Sequence, residues 1–312
     1  MFRFLERFRR NSVWSIALFV EDGDFSFNHE FSSPRFVLDS KKLRNSGAHV
    51  HTYADPFLFP HNDELYLFFE YQAVSEPGKI AAIKTRDLRH FEYVGEILKE
   101  PFHLSFPFVF RDQSDIYLMP ESSVTNELVL YKFEDFPQKL VKLRVLLRGT
   151  FRDSSLIKHN GVWYFFTTTG AGLELYYTDD LENGNLVPHR CNPITEDPRY
   201  SQCGGSPVTI QGQTYRIAQD ISGEYGRNIA ILKIKKLSKT EYEEEVVRDD
   251  YFDLRHSWNS RGGHHLNIAE FNNKIVIAVD GKQNDLWINK LMAFAEYVGF
   301  PGTKVSKNGR HG

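Results

Sequence analysis

Six carboxylic acids stand at comparable points of a repeated stretch of this sequence. They are Asp55, Glu70, Glu121, Asp153, Asp220 and Asp280. General acid–base catalysis needs a proton acceptor and a proton donor within reach of the reacting group, and carboxyl groups in different environments can fill both roles. Acids that cluster also raise the pKa of at least one member, which leaves a proton donor near neutral pH. The acids therefore predict a catalytic cluster, provided that the fold brings them together; the candidate catalytic residues are Asp55, Glu121, Asp153 and Asp220.

Other polar side chains accompany these acids. The candidate substrate-binding residues are Glu70, His103, Ser105, Arg152, Gln219, His264, His265 and Asp280. Residues alternate between the two faces of a strand, so we expect one of His264 and His265 to point inward and the other outward. No local spacing resembles a metal-ligand signature such as paired histidines on one helix. The sequence predicts neither a metal nor another cofactor.

A hairpin of two short apolar strands, at residues 53–59 and 64–70, positions the first acids. Similar hairpins begin near residues 53, 105, 153, 205 and 264. A period of roughly 50 residues lies in the range of propeller repeats. The first repeat adds strands at residues 79–84 and 91–98, and four strands make up one propeller blade. We therefore predict an all-β fold, a five-bladed β-propeller.

The N-terminal strands close the ring in this prediction. The fifth repeat has only its first two strands, and strands around Ile16 and Phe36 are available to complete its blade. Five copies of one unit in 312 residues favour a single domain over two. We predict a basic N-terminal segment at residues 1–13, one propeller domain at 14–300 and a flexible tail at 301–312.

Strand direction places the polar residues at one mouth of the ring. The first strand of each blade lines the channel and the second returns antiparallel, so the start of one and the end of the other share a face. The residues predicted together are Asp55 with Glu70, His103 and Ser105 with Glu121, Arg152 and Asp153 with Thr168, Gln202 with Gln219 and Asp220, and the two histidines with Asp280. A single acid at such a point is more often a turn or capping residue. Two interpretations therefore stay open, a ligand site and a set of hydrogen bonds that close the blades.

Composition limits the classes of binding partner and the cellular compartment that we expect. The net charge of −3 gives no electrostatic reason to expect nucleic acid. Two cysteines, Cys191 and Cys203, are too few for a disulfide framework, which favours a reducing compartment. The first ten residues are basic but lack the apolar core of a secretory signal. We expect a cytoplasmic protein whose N-terminus is either a frayed helix or a weak contact for an anionic membrane surface.

Several motifs resemble a known domain. They are Ala54-Asp55-Pro56, Ser105-Phe106-Pro107, Met119-Pro120-Glu121-Ser122, Asp153-Ser154-Ser155, Ala218-Gln219-Asp220 and Val279-Asp280-Gly281. The pattern resembles the N-terminal domain of glucosamine inositolphosphorylceramide transferases, in the stand-alone form of bacterial surface-polysaccharide gene clusters. That domain is similar to the five-bladed propellers of family 43 glycoside hydrolases. The resemblance implies a carbohydrate or nucleotide-sugar ligand and, because the plant transferases carry a separate glycosyltransferase domain, a glycosyltransferase as the partner to look for.

The resemblance to the hydrolases also implies roles for individual residues. Asp55 matches their general base, and Asp153 matches the aspartate that orients and tunes the acid. The general acid should start the fourth blade, where this sequence has Gln202 and no carboxyl group. Glu121 or Asp220 could supply the proton instead. Cleaving or forming a glycosidic bond passes through an oxocarbenium-like state and uses two carboxyl groups in different protonation states.

Three classes of function follow from these patterns. The leading hypothesis is a carbohydrate-active enzyme, a hydrolase or transferase of surface-polysaccharide or glycoconjugate synthesis. The second is a non-catalytic sugar-binding propeller that positions substrate for a partner enzyme, and the missing fourth-blade acid favours it. The third is a kelch-type interaction propeller, although Gly-Gly pairs occur only at residues 204–205 and 262–263. Aromatic residues that could stack on sugars are Tyr53, Phe106, Tyr200, Tyr225 and Trp258.

Overall fold

The computed structural model describes residues 12–23, 25–28, 33–39, 50–73, 76–254 and 256–284. Apart from one short 3-10 helix, Ser123–Thr125, every regular element of these residues is a β-strand, as predicted. Nearly all of the predicted basic segment and the whole predicted tail lie outside the described residues. Within the described part of the chain, no helix has the length and apolar character that crossing a bilayer requires.

Twenty-one strands follow one another along the described chain. They are β1 Ser12–Asp22, β2 Phe36–Leu38, β3 Val50–His61, β4 Glu64–Ala73, β5 Lys79–Thr85, β6 Glu92–Leu98, β7 Ser105–Asp112, β8 Asp115–Glu121, β9 Glu127–Asp135, β10 Lys139–Arg148, β11 Arg152–His159, β12 Val162–Thr169, β13 Gly172–Thr178, β14 Val187–Pro188, β15 Gln202–Cys203, β16 Val208–Ile210, β17 Gln213–Asp220, β18 Asn228–Leu237, β19 Tyr242–Arg248, β20 Leu266–Phe271 and β21 Lys274–Asn284. The predicted strand at residues 205–210 is corrected by this list, because only its last three residues form a strand, β16, and the separate strand β15 precedes it.

The strands form four sheets, and none of these sheets closes on itself within the described residues. The largest has eight strands in the order β20-β21-β1-β3-β4-β5-β6, with β2 also paired to β1. The others are β10-β9-β8-β7, β11-β12-β13-β14, and β15-β17-β18-β19 with β16 paired to β17. Strands β1 and β3 share a single pair, Trp14 with Thr52. The largest sheet therefore consists of two four-stranded groups that are joined by this one strand pair.

The N-terminal strands pair with the C-terminal hairpin. Strand β1 runs antiparallel to β21 from the pair Ser12–Asn284 to the pair Asp22–Lys274. On its other side β1 pairs with β2, where Ile16 lies opposite Leu38. The strands expected around Ile16 and Phe36 thus join the strands of the last repeat in one four-stranded group.

The hydrophobic core lies between the sheets. Residues 65–69 of β4 are five successive buried apolar residues, because both faces of this strand are covered by neighbouring sheets. Phe57 of β3 packs against Phe106 and Phe108 of β7, with ring centroids 4.9 and 5.3 Å away. Burial of such aromatic side chains removes a large apolar area from water and fixes how neighbouring sheets face each other.

Three of the first strands carry one extra residue near their start. In β3, Ala54 pairs with Glu70 and Phe57 with Phe68, so an advance of three residues along β3 corresponds to two residues along β4. Strands β7 and β11 repeat this bulge. The backbone at each bulge is left-handed, with φ of 53° at Asp55, 45° at Phe106 and 45° at Asp153. Such angles are uncommon outside glycine, and a bulge redirects the side chain that it carries.

Candidate functional site

A cavity of about 270 Å³ opens where the first strands begin and the second strands end. Its lining residues are Asp55, Glu70, His103, Ser105, Glu121, Arg152, Asp153, Gln202, Ile221 and Tyr225. Seven of these residues are sequence-predicted site residues, and the bulges place Asp55 and Asp153 among them. Gln202 and Tyr225 are also indicated by the sequence, whereas Ile221 is an ordinary apolar residue in a loop and carries no sequence signal.

Strand register explains why these residues meet. Glu70 pairs with Ala54, beside Asp55, and Glu121 pairs with Ser105. The start of the first strand and the end of the second strand therefore lie at one face, which confirms the argument from strand direction for these two hairpins. Arg152 opposite Thr168 and Gln202 opposite Gln219 repeat the arrangement. Asp55 and Glu121 line the same cavity, as expected.

Five predicted residues do not line the cavity. They are Gln219, Asp220, His264, His265 and Asp280. Asp220 is a candidate proton donor by sequence, and we expected it in the cavity. The structure corrects this expectation, because both carboxyl oxygens of Asp220 bind groups of the following loop. One of its oxygens accepts hydrogen bonds from the backbone N–H and the hydroxyl of Ser222, at 2.7 and 2.6 Å. The other accepts one from Arg227 Nε at 2.8 Å. Asp220 therefore stabilises the loop that directly follows it in the chain.

The two histidines lie behind the cavity, and both face Asp55. Oδ1 of Asp55 is 3.8 Å from Nδ1 of His264 and 3.7 Å from Nδ1 of His265. Both side chains are buried. The expectation that one histidine points outward is wrong, because β20 begins only at Leu266 and the histidines precede the alternating strand. Burial lowers the pKa of His265 to about 3, so this imidazole is neutral.

Asp280 organises the floor beneath Asp55. Its Oδ1 accepts hydrogen bonds from the backbone N–H groups of His264 and His265, at 2.8 and 3.0 Å. Its Oδ2 accepts one from the N–H of Asp55 at 3.2 Å and lies 2.6 Å from Nδ1 of His264. Asp280 is fully buried, and the histidines lower its pKa against the effect of burial. Asp280 is therefore an ionised anchor of the site rather than a ligand contact.

Hydrogen bonds that the carboxyl groups accept also link neighbouring groups of strands. Besides the bond from Asp55 to Asp280, the N–H of Phe106 donates to Asp55 Oδ2 at 3.0 Å, and the N–H of Asp153 donates to Glu121 Oε2 at 3.2 Å. Gln202 Nε2 donates to Asp153 Oδ2 and, at 3.0 Å, to Gln219 Oε1. The two interpretations left open by the sequence are thus not exclusive, because the same carboxyl groups join the units and line the cavity.

The carboxyl groups of the cavity differ in their readiness to ionise. Burial, opposed by the charge of His264, raises the pKa of Asp55 to about 6. Burial and then the charge of Asp55 hold the pKa of Glu70 well above its usual range, although Nε2 of His103 lies 3.5 Å away. Burial and the charge of Glu121 do the same for Asp153. The cavity therefore holds protonated carboxyl groups beside one that ionises near pH 6, as acid–base chemistry requires.

The raised pKa of Asp55 predicts how stability changes with pH. The folded state holds this proton more tightly than the unfolded chain does, so the free energy of unfolding should fall as pH rises from about 4 to about 6. The contribution of Asp55 is at most about 3 kcal/mol. Urea unfolding at several pH values checks this, and Asp55→Asn should flatten the slope. A wild-type free energy that rises over the same interval would contradict the prediction.

Three buried groups could in principle bind a cation. Asp55, His264 and Asp280 each offer a ligand atom, and these atoms lie within 4.8 Å of one another. Carboxylate and imidazole ligands suit several divalent cations. In this geometry Asp280 already accepts three backbone N–H groups and contacts His264 Nδ1, so its oxygens are engaged. The cluster is explained by its own hydrogen bonds, and the absence of a metal stays a prediction.

Comparison with solved structures identifies the class of fold. The chain is similar to an α-L-arabinofuranosidase of family GH43 from Clostridium thermocellum, with a TM-score of 0.52 and 13% identity over 72% of this chain and 81% of that one. It is also similar to a GH43 β-xylosidase/α-arabinofuranosidase from a compost microbial metagenome, with a TM-score of 0.54 and 11% identity over 74% and 90% of the two chains. The protein therefore shares the β-propeller fold of these enzymes and has a carboxyl-lined cavity at its strand ends.

Sequence comparison identifies the family. The chain belongs to the family of the N-terminal domain of glucosamine inositolphosphorylceramide transferase 1, whose match covers residues 11–282. Glucosamine inositolphosphorylceramide transferase 1 of Arabidopsis thaliana is 33% identical over 316 aligned positions, which cover 90% of this chain. The chain spans only 41% of the length of that relative. The resemblance seen in the motifs is thereby confirmed.

Proposed function

We propose that this protein is a carbohydrate-active propeller that acts on the sugar part of a glycoconjugate or on an activated sugar in glycoconjugate synthesis. The cavity supports this proposal best, because strand ends from different sheets bring four carboxyl groups to one opening, and three of these groups have raised pKa values. The family adds the chemical context, since the name of the Arabidopsis relative, glucosamine inositolphosphorylceramide transferase 1, contains both a sugar and a glycoconjugate lipid.

In the proposed reaction, Asp55 is the general base. Its Oδ2 accepts a hydrogen bond from the N–H of Phe106, which fixes the carboxylate, and its pKa near 6 leaves it ionised at neutral pH. We assign the proton donor to the pair of Asp153 and Glu121. Burial and then the charge of Glu121 raise the pKa of Asp153 well above its usual range, so Asp153 carries the proton and Glu121 keeps it there.

A second candidate function is sugar binding without catalysis. The fourth group of strands presents Gln202 where related hydrolases are expected to carry their general acid. The Gln202 amide donates to both Asp153 and Gln219, so that place is filled by a residue that cannot deliver a proton. Such a module would position a sugar for a partner enzyme. A partner glycosyltransferase fits the proposal, because more than half of the Arabidopsis relative lies outside the region that this chain matches.

The proposed architecture is a ring of five blades closed by the N-terminal strands. Five groups of strands support it, namely β3–β6, β7–β10, β11–β14, β15–β19 and the group of β20, β21, β1 and β2. The hydrogen bonds described above join the fifth group to the first, the first to the second, the second to the third and the third to the fourth. Between the fourth and fifth groups, Leu266 N–H donates to the carbonyl oxygen of Gly204 at 2.8 Å. This cyclic order supports a closed ring.

The proposal predicts that a sugar binds in the cavity. Saturation-transfer NMR with D-glucosamine, N-acetyl-D-glucosamine, myo-inositol 1-phosphate and a UDP-sugar should detect at least one bound compound. Glu121→Gln should weaken that binding, whereas Glu243→Gln, at an exposed ion pair on the outer strand β19, should leave it unchanged. Failure of all four compounds to bind, or equal binding by Glu121→Gln, would overturn the proposal.

A further inference from the structure

One loop supplies the apolar wall of an otherwise polar cavity. The loop of residues 221–227 connects β17 to β18, and both Ile221 and Tyr225 belong to it. All the other lining residues are polar or charged. Carbohydrates present apolar C–H faces as well as hydroxyl groups, so a site for them combines polar partners with one aromatic surface. This loop brings such a surface to the carboxyl groups.

Tyr225 is exposed in a way that core packing does not explain. Its side chain is 54% exposed, although it lies beside the buried rings of the site. It stands almost perpendicular to His264, at 86° and 5.2 Å between centroids, and to Trp14, at 73° and 6.3 Å. The ring is the exposed part of Tyr225, whereas burial of its hydroxyl end and then the charge of Asp153 raise its pKa well above the usual value, which agrees with a hydroxyl group directed into the cavity.

The loop is held at several points, so Tyr225 is exposed on a fixed support. Asp220 binds Ser222 and Arg227 at the two ends of the loop. Nζ of the buried Lys282 donates to the carbonyl oxygen of Tyr225 at 2.7 Å and to Glu224 at 3.0 Å. A binding group that is fixed before the ligand arrives loses less conformational entropy on binding.

We propose that Tyr225 is a specificity-determining residue whose ring packs against a sugar in the cavity, and that Asp220 is a positioning residue that acts through it. This inference rests on the proposed function. Asp220, a candidate catalytic acid by sequence, then has a positioning role instead. The loop, and not only the carboxyl groups, then selects ligands that have a flat apolar face next to their hydroxyl groups.

The test measures the affinity of the purified protein for the same four compounds, D-glucosamine, N-acetyl-D-glucosamine, myo-inositol 1-phosphate and a UDP-sugar, by NMR titration. For a compound that binds the wild type, Tyr225→Ala should lower affinity about 10-fold or more, whereas Tyr225→Phe should stay within about 3-fold because it keeps the ring. Tyr93→Ala is the matched control, since Tyr93 is similarly exposed (40%) on the outer strand β6 and should bind like wild type.

A double-mutant cycle tests the positioning role. Asp220→Asn should weaken binding several-fold in the wild type but have no further effect in Tyr225→Ala, because Asp220 acts through that ring. Equal effects of Asp220→Asn in both backgrounds would overturn this role, and wild-type affinity in Tyr225→Ala would overturn the specificity role. If the wild type binds sugar and Glu121→Gln weakens it while Tyr225→Ala does not, this inference alone fails. If the wild type binds none of the compounds, the proposed function fails and this inference fails with it.

Discussion

Asp55→Asn should reduce turnover about 10²–10⁴-fold if the protein is an enzyme. The substitution removes the charge of the proposed general base and keeps its shape. The asparagine oxygen can still accept the hydrogen bond from Phe106 N–H, so the fold should survive. Because Asp55 is buried with a raised pKa, loss of its charge should not destabilise the protein at pH 7. Turnover and ligand affinity, measured together for wild type and variant, check this prediction.

Glu121→Gln and Asp153→Asn are the companion variants for the proton donor. Their effects on turnover should shrink with substrates whose leaving group needs no protonation, whereas the effect of Asp55→Asn should not. Loss of one contact in a pure binding site would instead weaken affinity by about 1–3 kcal/mol. Ligand bound by all variants, with no turnover even in wild type, would contradict the enzymatic function and favour the sugar-binding module.

Much of the site could be predicted from sequence because local patterns determine hairpins. Apolar runs on either side of a polar turn set the register of β3 with β4 and of β7 with β8. That register alone brings Glu70 next to Asp55 and Glu121 next to Ser105. The bulge at Asp55 could not be predicted from the same pattern. Residues on both faces of this strand are apolar and buried, so the sequence shows no break in alternation at the extra residue, which decides where the carboxyl group points.

The fourth hairpin shows where the sequence pattern was insufficient. We expected one strand from Gly205, but residues 204–207 separate β15 from β16. Gly205 has a φ of 147°, and a Cβ at this position would lie 1.9 Å from the carbonyl oxygen of Leu266. The fifth group of strands therefore approaches too closely for any side chain. Adjacent glycines inside a strand pattern are a signal of such an approach, but they do not name the neighbour.

Asp220 was assigned to the cavity because it ends a second strand, and that part of the prediction is correct. Its side chain turns to Ser222, two residues onward, which is a common local hydrogen bond of aspartate in turns. Distant partners decided the positions of the histidines. Asp280 binds both of their backbone N–H groups before β20 begins, and no local spacing predicts a contact across 15 residues.

Asp280→Ala should destabilise the fold by about 3–5 kcal/mol, because removing one partner from a buried charged cluster leaves the others without compensation. Three backbone N–H groups, those of Asp55, His264 and His265, lose their acceptor. The imidazole of His264 also loses the carboxylate that raises its pKa. Urea unfolding at pH 7 measures the loss. The variant should also lose ligand binding, since the backbone of Asp55 is held by this carboxylate.

Two further variants make this prediction specific to the cluster. Asp280→Asn keeps an oxygen for the two histidine N–H groups and should destabilise less, by about 1–3 kcal/mol. Asp179→Ala removes an acid that is 66% exposed and paired with Lys239, and it should change stability by less than about 1 kcal/mol. If Asp280→Ala were as stable as Asp179→Ala, the buried cluster would not anchor the site, and the position of Asp55 would have to depend on the packing of β3 alone.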